Sequence, residues 1–188
     1  MQLKQNNWPE VLKLARTVND HYSMWEEQQA AVFKYCLEVP AGGIIVELGV
    51  AYGKTSVVMA TAAKRVGAQF FAVDNFGLVG TEAEYRERLK LLQLPVTLLV
   101  GRTQEVAWNL PIDLILIDAG HDEANIRPDC ERWLPFVKPG GVAIFHDYEQ
   151  GEITREHPHW AVKFYADKNT LGWADLAHIK QLKIKRKP

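Results

Sequence analysis

Five short runs of apolar residues, separated by stretches with helical periodicity, constrain the fold of this chain more than any other feature. The runs lie at residues 44–48, 69–74, 96–100, 112–118 and 141–147, and the helical stretches at residues 54–66, 82–92, 103–109, 123–136 and 158–169. Each run is apolar at successive positions, which is typical of strands covered on both faces. Two shorter strands are predicted near residues 174–179 and 181–186. The alternation predicts an α/β fold with a doubly wound, mostly parallel sheet of seven strands.

The chain before the first strand is predicted to be helical. One helical stretch begins near residue 8 and a second runs over residues 24–38, until the Pro and Gly residues of positions 40–43 break the pattern. We therefore expect an N-terminal helical extension over residues 1–43 and one α/β domain over residues 44–188. Tyr22, Trp25 and Glu26 are candidates for a lid or for a homodimer contact, and the sequence does not choose between the two.

The overall composition excludes several classes of protein. Hydrophobic residues make up 47% of the chain and charged residues 24%, as in ordinary soluble proteins. The formal net charge is -1, so no nucleic-acid partner is expected. The sequence has neither an apolar signal core nor a run of 18 apolar residues, so we expect a cytoplasmic protein without a membrane partner. The basic ending KIKRKP, residues 183–188, is predicted to be a solvated edge strand.

The first predicted strand runs into a glycine-containing turn, ELGVAYGKTS, at residues 47–56. Gly49 and Gly53 allow a tight turn and close approach of a ligand, and the helix that follows presents free N–H groups. Dinucleotides and S-adenosylmethionine are both bound in this way, and a purely structural turn is the third alternative. A phosphate-binding loop is excluded because position 48 is Leu rather than Gly, and the GxGxxG fingerprint of dinucleotide sites is absent.

Two acidic residues favour S-adenosylmethionine over a dinucleotide. Glu47 is expected inside the turn, where it would repel a pyrophosphate but tolerate a ligand that carries an ammonium and a sulfonium group. Asp74 ends the second predicted strand, 21 residues after Gly53, where a carboxylate accepts hydrogen bonds from ribose hydroxyls. An Asp at the end of a strand also caps turns, so the prediction depends on Asp74 together with the glycine loop.

A second group of polar residues follows the fourth and fifth predicted strands. Asp118 ends the fourth strand, and His146 and Asp147 end the fifth. These strands are expected to be neighbours, so the three side chains should converge at the rim of the ligand cleft. Such a set suits Mg²⁺ or Mn²⁺, and the histidine leaves other divalent metals open. The alternative is that the acids cap turns and that His146 is an ordinary, partly buried histidine.

Residues 47–53 resemble the first motif of the class I S-adenosylmethionine-dependent methyltransferases, in which an acid is followed by glycines. The resemblance covers residues 44–186 and implies a Rossmann-like sheet, although Ala51 replaces the usual middle glycine. It further implies that Asn75 and Phe76 flank the adenine or ribose and that residues 101–105 pass the adenine edge. The residues assigned to the cofactor are Glu47, Gly49, Ala51, Gly53, Asp74, Asn75, Phe76, Arg102, Thr103 and Asp118.

The segment IDAGHDEANIRPDCERWLPFVKPGG, residues 117–141, together with HDY at residues 146–148, resembles a metal-dependent O-methyltransferase branch. That branch includes macrolide sugar O-methyltransferases and cephalosporin-hydroxylase-like proteins. The resemblance implies that Asp118, His146 and Asp147 hold the divalent metal and that His121 takes the proton of the acceptor. The predicted function is metal-assisted methyl transfer from S-adenosylmethionine to a hydroxyl of a small molecule. An NAD-dependent oxidoreductase and a catalytically inactive S-adenosylmethionine-binding module are left open.

Overall fold

A seven-stranded sheet forms the centre of the molecule in the computed structural model, which describes residues 7–19 and 24–188. The strands lie in the order β3-β2-β1-β4-β5-β7-β6, and β1 to β5 pair in parallel. The strands β6 and β7 are antiparallel to each other, and β7 is antiparallel to β5. The strand bounds are β1 Ile44–Leu48, β2 Gln69–Asp74, β3 Thr97–Val100, β4 Ile112–Ile117, β5 Val137–Phe145, β6 Ala174–Ile179 and β7 Leu182–Arg186. The predicted mostly parallel α/β sheet is confirmed.

Six α-helices among the described residues pack on the two faces of this sheet. Their bounds are α1 Trp8–Ala15, α2 Glu26–Leu37, α3 Lys54–Val66, α4 Glu82–Leu91, α5 Glu123–Trp133 and α6 Trp160–Asn169, and a single 3₁₀ turn, Leu134–Phe136, follows α5. Side chains of α1 to α4 share one hydrophobic cluster and those of α5 and α6 share another. Within β1, Ile45 belongs to the first cluster, whereas Val46 belongs to the second. The sheet is therefore covered on both faces, as its continuous apolar runs predict.

The N-terminal helices pack on α3 and share its core. Val11 of α1 and Phe33 of α2 are fully buried in the same cluster as the inner face of α3. Helix α1 ends at Ala15, earlier than the apolar periodicity predicts, although Val18 beyond it is still buried. Residues 1–6 and Tyr22 lie outside the described residues, and the domain boundary at residue 43 stays a prediction. None of the helices in the described ranges is both long enough and apolar enough to cross a membrane.

Residues 103–109 do not form the predicted helix. A single turn begins after β3, and the carbonyl groups that would continue a helix bind side chains of α5 instead. The carbonyl of Thr103 accepts a hydrogen bond from Trp133 Nε1 at 2.9 Å, and that of Val106 accepts one from Arg132 at 2.7 Å. The segment is therefore held against α5 at the carboxyl edge of the sheet.

The basic ending is not the edge strand that its charges predict. Strand β7 lies between β5 and β6, so both of its backbone edges are paired. Its lysines are compensated by a neighbouring acid, because Lys183 and Lys185 lie 2.8 Å and 3.6 Å from the carboxylate oxygens of Asp175 on β6. An interior strand can therefore carry these charges since the adjacent strand supplies the opposite charge.

Candidate active site

The loop between β1 and α3 turns sharply at the carboxyl end of β1. Gly49, Ala51 and Gly53 all have positive φ, at 84°, 47° and 85°. A Cβ atom on Gly49 would lie 2.3 Å from the carbonyl oxygen of Asp118, so only glycine allows the end of β1 to approach the end of β4 this closely. The glycine turn expected from the sequence is present, and it places the N-terminus of α3 beside the two strand ends.

Asp74, the last residue of β2, holds this loop in place. Its Oδ2 accepts a hydrogen bond from the backbone N–H of Val50 at 2.7 Å, and its Oδ1 accepts one from that of Phe76 at 2.6 Å. A carboxylate oxygen has more than one acceptor position, so the same oxygens remain suited to ribose hydroxyls. Asp74 therefore joins the glycine loop to the segment that follows β2.

A cavity of about 340 Å³ lies along this edge and collects most of the residues assigned to the cofactor. Phe76 and Gly53 lie outside its lining: the ring of Phe76 packs against Tyr85, with centroids 5.9 Å apart, and Gly53 caps α3. The hydroxyl of Thr103 donates to the buried carboxylate of Asp129 at 2.5 Å. The assigned residues that line the cavity are Gly49, Ala51, Asp74, Asn75, Arg102, Thr103 and Asp118.

Glu47 lies within β1 rather than inside the turn, which corrects the position expected from the sequence. The residue is only 1% exposed, and its Oε2 accepts a hydrogen bond from Ser56 of α3. Within the sheet, Glu47 is paired with Ala72 of β2 and Leu116 of β4, since the strand that begins in the apolar run continues past Glu47 to Leu48. Glu47 also lies at the wall of a second cavity.

The three residues predicted to hold a metal are brought together where β4 and β5 end. His146 Nδ1 lies 2.9 Å from Asp118 Oδ1 and 3.3 Å from Asp147 Oδ2. One potential ligand atom from each residue lies within 4.8 Å of the other two. Asp147 also has an unusual backbone, with φ at 55°. Such a conformation in a residue other than glycine persists only where its surroundings hold it, and it is common at functional sites.

The electrostatics of this cluster favour a positive charge at its centre. Burial opposes protonation of His146, but the adjacent carboxylates of Asp118 and Asp147 outweigh it and raise the pKa of His146 to about 10. Burial likewise opposes ionisation of Asp147, but its hydrogen bonds to His121 and His146 lower its pKa overall. A proton on His146 compensates the negative charges of Asp118 and Asp147. A divalent cation bound by the same atoms would also supply positive charge there.

His121 lies on the other side of Asp147. Its Nε2 is 2.8 Å from Asp147 Oδ2, and this hydrogen bond is the main cause that raises the pKa of His121. The imidazole of His159 packs edge-on against that of His121, with ring centroids 5.8 Å apart. The predicted base is thus adjacent to the predicted metal ligands, and His159 lies beside it in the same wall.

These groups line a second cavity of about 590 Å³ that adjoins the first. The two cavities share Gly49, Ala51, Asp118 and Ala119, so they meet where β1 and β4 end. The glycine loop and the acid and histidine cluster therefore line adjacent cavities. The arrangement offers two neighbouring cavities, and Asp118 lies in the wall of both.

Two residues that were not expected at the site from the sequence also line both cavities. Leu78 and Val79 lie in the loop after β2, and Leu78 is 93% exposed. An exposed leucine at the mouth of a cleft offers apolar surface to a ligand. An apolar pair flanked by glycines, GLVG at residues 77–80, was the signal that could have identified them.

The sequence matches a known family over more than half of its length. Residues 46–148 match a family model described as a methyltransferase domain, and this range contains the glycine loop, Asp74, Asp118, His121 and the pair at residues 146 and 147. A curated relative, the uncharacterized protein y4gI of Sinorhizobium fredii (strain NBRC 101917 / NGR234), is 30% identical over 149 residues. The aligned region covers 72% of this chain but 15% of the relative, so the chain spans a small part of that protein's length.

Solved structures with the same fold include several methyltransferases. An O-methyltransferase from Bacillus cereus, in complex with S-adenosylhomocysteine, has a TM-score of 0.68 at 17% identity, covering 100% of this chain and 93% of its own. TomG of Streptomyces achromogenes, an O-methyltransferase of tomaymycin synthesis in complex with S-adenosylmethionine, has a TM-score of 0.66 at 13% identity, with coverages of 100% and 92%. An rRNA methylase from Streptococcus thermophilus has a TM-score of 0.61 at 15% identity, with coverages of 88% and 99%. At these identities the likeness is one of fold.

Proposed function

This chain belongs to the methyltransferase-domain family, as its motifs predict, and from this premise we propose that it transfers a methyl group from S-adenosylmethionine to a hydroxyl of a small molecule, assisted by a divalent metal. The observation that carries the proposal is the junction of the two cavities at Asp118. A cofactor with its nucleoside part in the first cavity would present its sulfonium methyl group at this junction, to an acceptor in the second cavity. The family match also favours a methyltransferase over an NAD-dependent oxidoreductase.

The first cavity suits the nucleoside part of the cofactor. Asp74 lies at its wall as the ribose acceptor, and Asn75 and the segment of Arg102 and Thr103 line the end assigned to adenine. The buried carboxylate of Glu47, at the wall of the adjoining cavity, suits the ammonium group of the methionine part. S-Adenosylmethionine supplies an electrophilic methyl group when bound. Because Gly49 carries no side chain, the glycine loop leaves the ends of β1 and β4 accessible to this group.

Asp118, His146 and Asp147 are the proposed metal ligands. They fit a divalent cation because two carboxylates and one imidazole present ligand atoms within 4.8 Å of one another. A bound Mg²⁺ or Mn²⁺ lowers the pKa of a coordinated hydroxyl and orients it. The carboxylate of Asp147 contacts both His146 and His121 from a backbone with positive φ, a conformation that is common at functional sites.

His121 is the proposed base. In the neutral tautomer that donates from Nε2 to Asp147, Nδ1 carries the lone pair that takes the proton of the acceptor hydroxyl. Asp147 thereby holds the imidazole in one orientation, as a carboxylate does in other acid–histidine pairs. A cavity of about 590 Å³ is of the size that holds a small molecule, which supports an acceptor of that class.

Binding of S-adenosylhomocysteine, measured by calorimetry, tests the cofactor directly. We expect binding of S-adenosylhomocysteine and no binding of NAD⁺ under the same conditions. The reverse order of affinity would contradict the proposal and favour the oxidoreductase. An inactive binding module would bind S-adenosylhomocysteine but would fail to transfer the methyl group to hydroxyl acceptors at any metal concentration.

A further inference from the structure

A second group of potential metal ligands lies beside the proposed active site. Glu149, His157 and His159 each offer one ligand atom, and these atoms lie within 4.8 Å of one another. All three residues are half-buried and belong to the connection between β5 and α6. We call them the Glu149 cluster. Methyl transfer as proposed above uses none of the three as a metal ligand or base.

The hydrogen bonds within the Glu149 cluster already orient its side chains. His159 Nδ1 lies 3.1 Å from Glu149 Oε1, and the backbone N–H of His159 donates to His157 Nδ1 at 3.2 Å. Gln181, which precedes β7, also donates from Nε2 to Glu149 Oε1. A carboxylate that is held by a neighbouring amide is typical of metal sites, where such partners fix the position of the ligands.

We propose that Glu149, His157 and His159 form a second metal site, for a borderline cation such as Zn²⁺. Two imidazoles and one carboxylate are a donor set that zinc uses in proteins with a fourth position left for water or substrate. Tetrahedral zinc at the usual bond lengths places its ligand atoms about 3.3 Å apart. The ligand atoms of the cluster therefore need to close by at most about 1.5 Å, which rotation of side chains in a half-buried loop can supply.

The donor atoms separate this site from the one formed by Asp118, His146 and Asp147. The active-site set has two carboxylates and one histidine, which suits Mg²⁺ or Mn²⁺, whereas the Glu149 cluster has one carboxylate and two histidines. The two sets are close, because His159 Nε2 lies 3.9 Å from Asp147 Oδ1. A zinc ion in the Glu149 cluster would thus lie at the edge of the second cavity, which is proposed to hold the methyl acceptor.

Calorimetric titration with Zn²⁺ in a buffer containing excess Mg²⁺ tests this site without any activity measurement. We expect Glu149→Gln and His157→Ala each to weaken zinc binding at least tenfold relative to the natural chain. Glu152→Gln, an exposed acid in the same loop, is the matched control and should bind zinc like the natural chain. Equal zinc affinity in all three variants would overturn the proposal.

His159 also forms a possible metal-binding set with His121 and Asp147, whose ligand atoms lie within 4.8 Å of one another. Zinc bound to this alternative set would respond differently to the substitutions. If zinc bound there, His121→Ala would weaken it and Glu149→Gln would not, which would also overturn the proposal. Should either cluster variant fail to fold, zinc stoichiometry in a variant that carries both Asp118→Asn and His121→Ala decides instead, because each of the other two sets then lacks a ligand. One equivalent of zinc retained there supports the Glu149 cluster, and none retained contradicts it. The failure of this site would leave the cofactor and the Asp118 site unaffected.

Discussion

His121 Nε2 lies 2.8 Å from Asp147 Oδ2, which connects the residues that follow β4 with those that follow β5. Asp147 holds this position with a backbone φ of 55° and also contacts His146. One carboxylate is therefore shared between the proposed base and a proposed metal ligand. The protonation and orientation of His121 are coupled through this contact to the residues of the proposed metal site.

Replacement of the proposed base should slow the chemical step and leave cofactor binding intact. We expect His121→Ala to lower kcat by about 10²- to 10⁴-fold, because general base catalysis contributes a factor of this size. S-Adenosylhomocysteine affinity should change little, since His121 lies in the wall of the second cavity rather than the first. Steady-state methyl transfer and calorimetry measure the two effects separately, and an unchanged kcat would exclude His121 as the base.

A side chain at position 49 should disrupt the junction between β1 and β4. The Cβ of Gly49→Ala would meet the carbonyl oxygen of Asp118 at 2.3 Å, so we expect a loss of at least about 3 kcal/mol in the free energy of unfolding. Gly172→Ala is the matched control, because Gly172 has φ at 81° but open space around its added Cβ. It should lose only about 1 kcal/mol. Equal losses in denaturant titrations would show that backbone strain alone matters.

Asp74 should affect both cofactor affinity and loop stability. Asp74→Asn keeps one acceptor oxygen and should weaken S-adenosylhomocysteine binding about 10- to 100-fold, as expected for a lost hydrogen bond to a charged group. Asp74→Ala also leaves the N–H groups of Val50 and Phe76 without this acceptor, so it should be less stable as well. Asp175→Asn on β6 is the control. Full cofactor affinity in Asp74→Ala would remove Asp74 from the binding site.

Asp129 of α5 should give the protein a measurable dependence of stability on pH. The residue is fully buried, accepts hydrogen bonds from Thr103 and Gln104, and burial raises its pKa to about 6. A carboxyl group with a raised pKa stabilises the folded state while protonated, and this contribution is lost as the pH rises through about 6. The ionised group then costs free energy in the folded state.

The variant Asp129→Asn keeps an acceptor for Thr103 and cannot ionise. Its stability relative to the natural chain should therefore increase by about 1 kcal/mol between pH 5 and pH 8, since one pKa unit corresponds to about 1.4 kcal/mol. Urea titrations at the two pH values measure the difference, and the pH 5 value is the internal control. A difference independent of pH would contradict the raised pKa of Asp129.

The order of strands and helices was predictable because its signals are local. The run IIVEL ends before Gly49, and QFFAVD ends at Asp74, so β1 and β2 have the predicted bounds. Parallel pairing then brings the ends of β4 and β5 together, which is why Asp118 and the pair His146–Asp147 could be expected at one rim. These predictions needed only apolar runs and the geometry of parallel sheets.

The parts that the sequence did not predict depend on contacts between distant residues. Trp133 and Arg132 bind carbonyl groups of the turn after β3, and Asp175 compensates the lysines of the interior strand β7. The contact between Glu149 and His159 likewise depends on how the loop after β5 folds back on itself. The spacing His157-x-His159 is visible in the sequence, but the contact with Glu149 is not. Such tertiary interactions override local propensity and are not encoded by spacing alone.

A crystal grown with S-adenosylhomocysteine and Mn²⁺ tests the central claim most directly, because the anomalous scattering of manganese locates the ion without reference to the unknown acceptor. We predict a manganese peak coordinated by Asp118, His146 and Asp147, with S-adenosylhomocysteine in the adjoining cavity beside Asp74. The ion and the sulfur of the cofactor should face the same space at Asp118. S-Adenosylhomocysteine bound elsewhere, or an absence of manganese from these three residues, would contradict metal-assisted methyl transfer at this site.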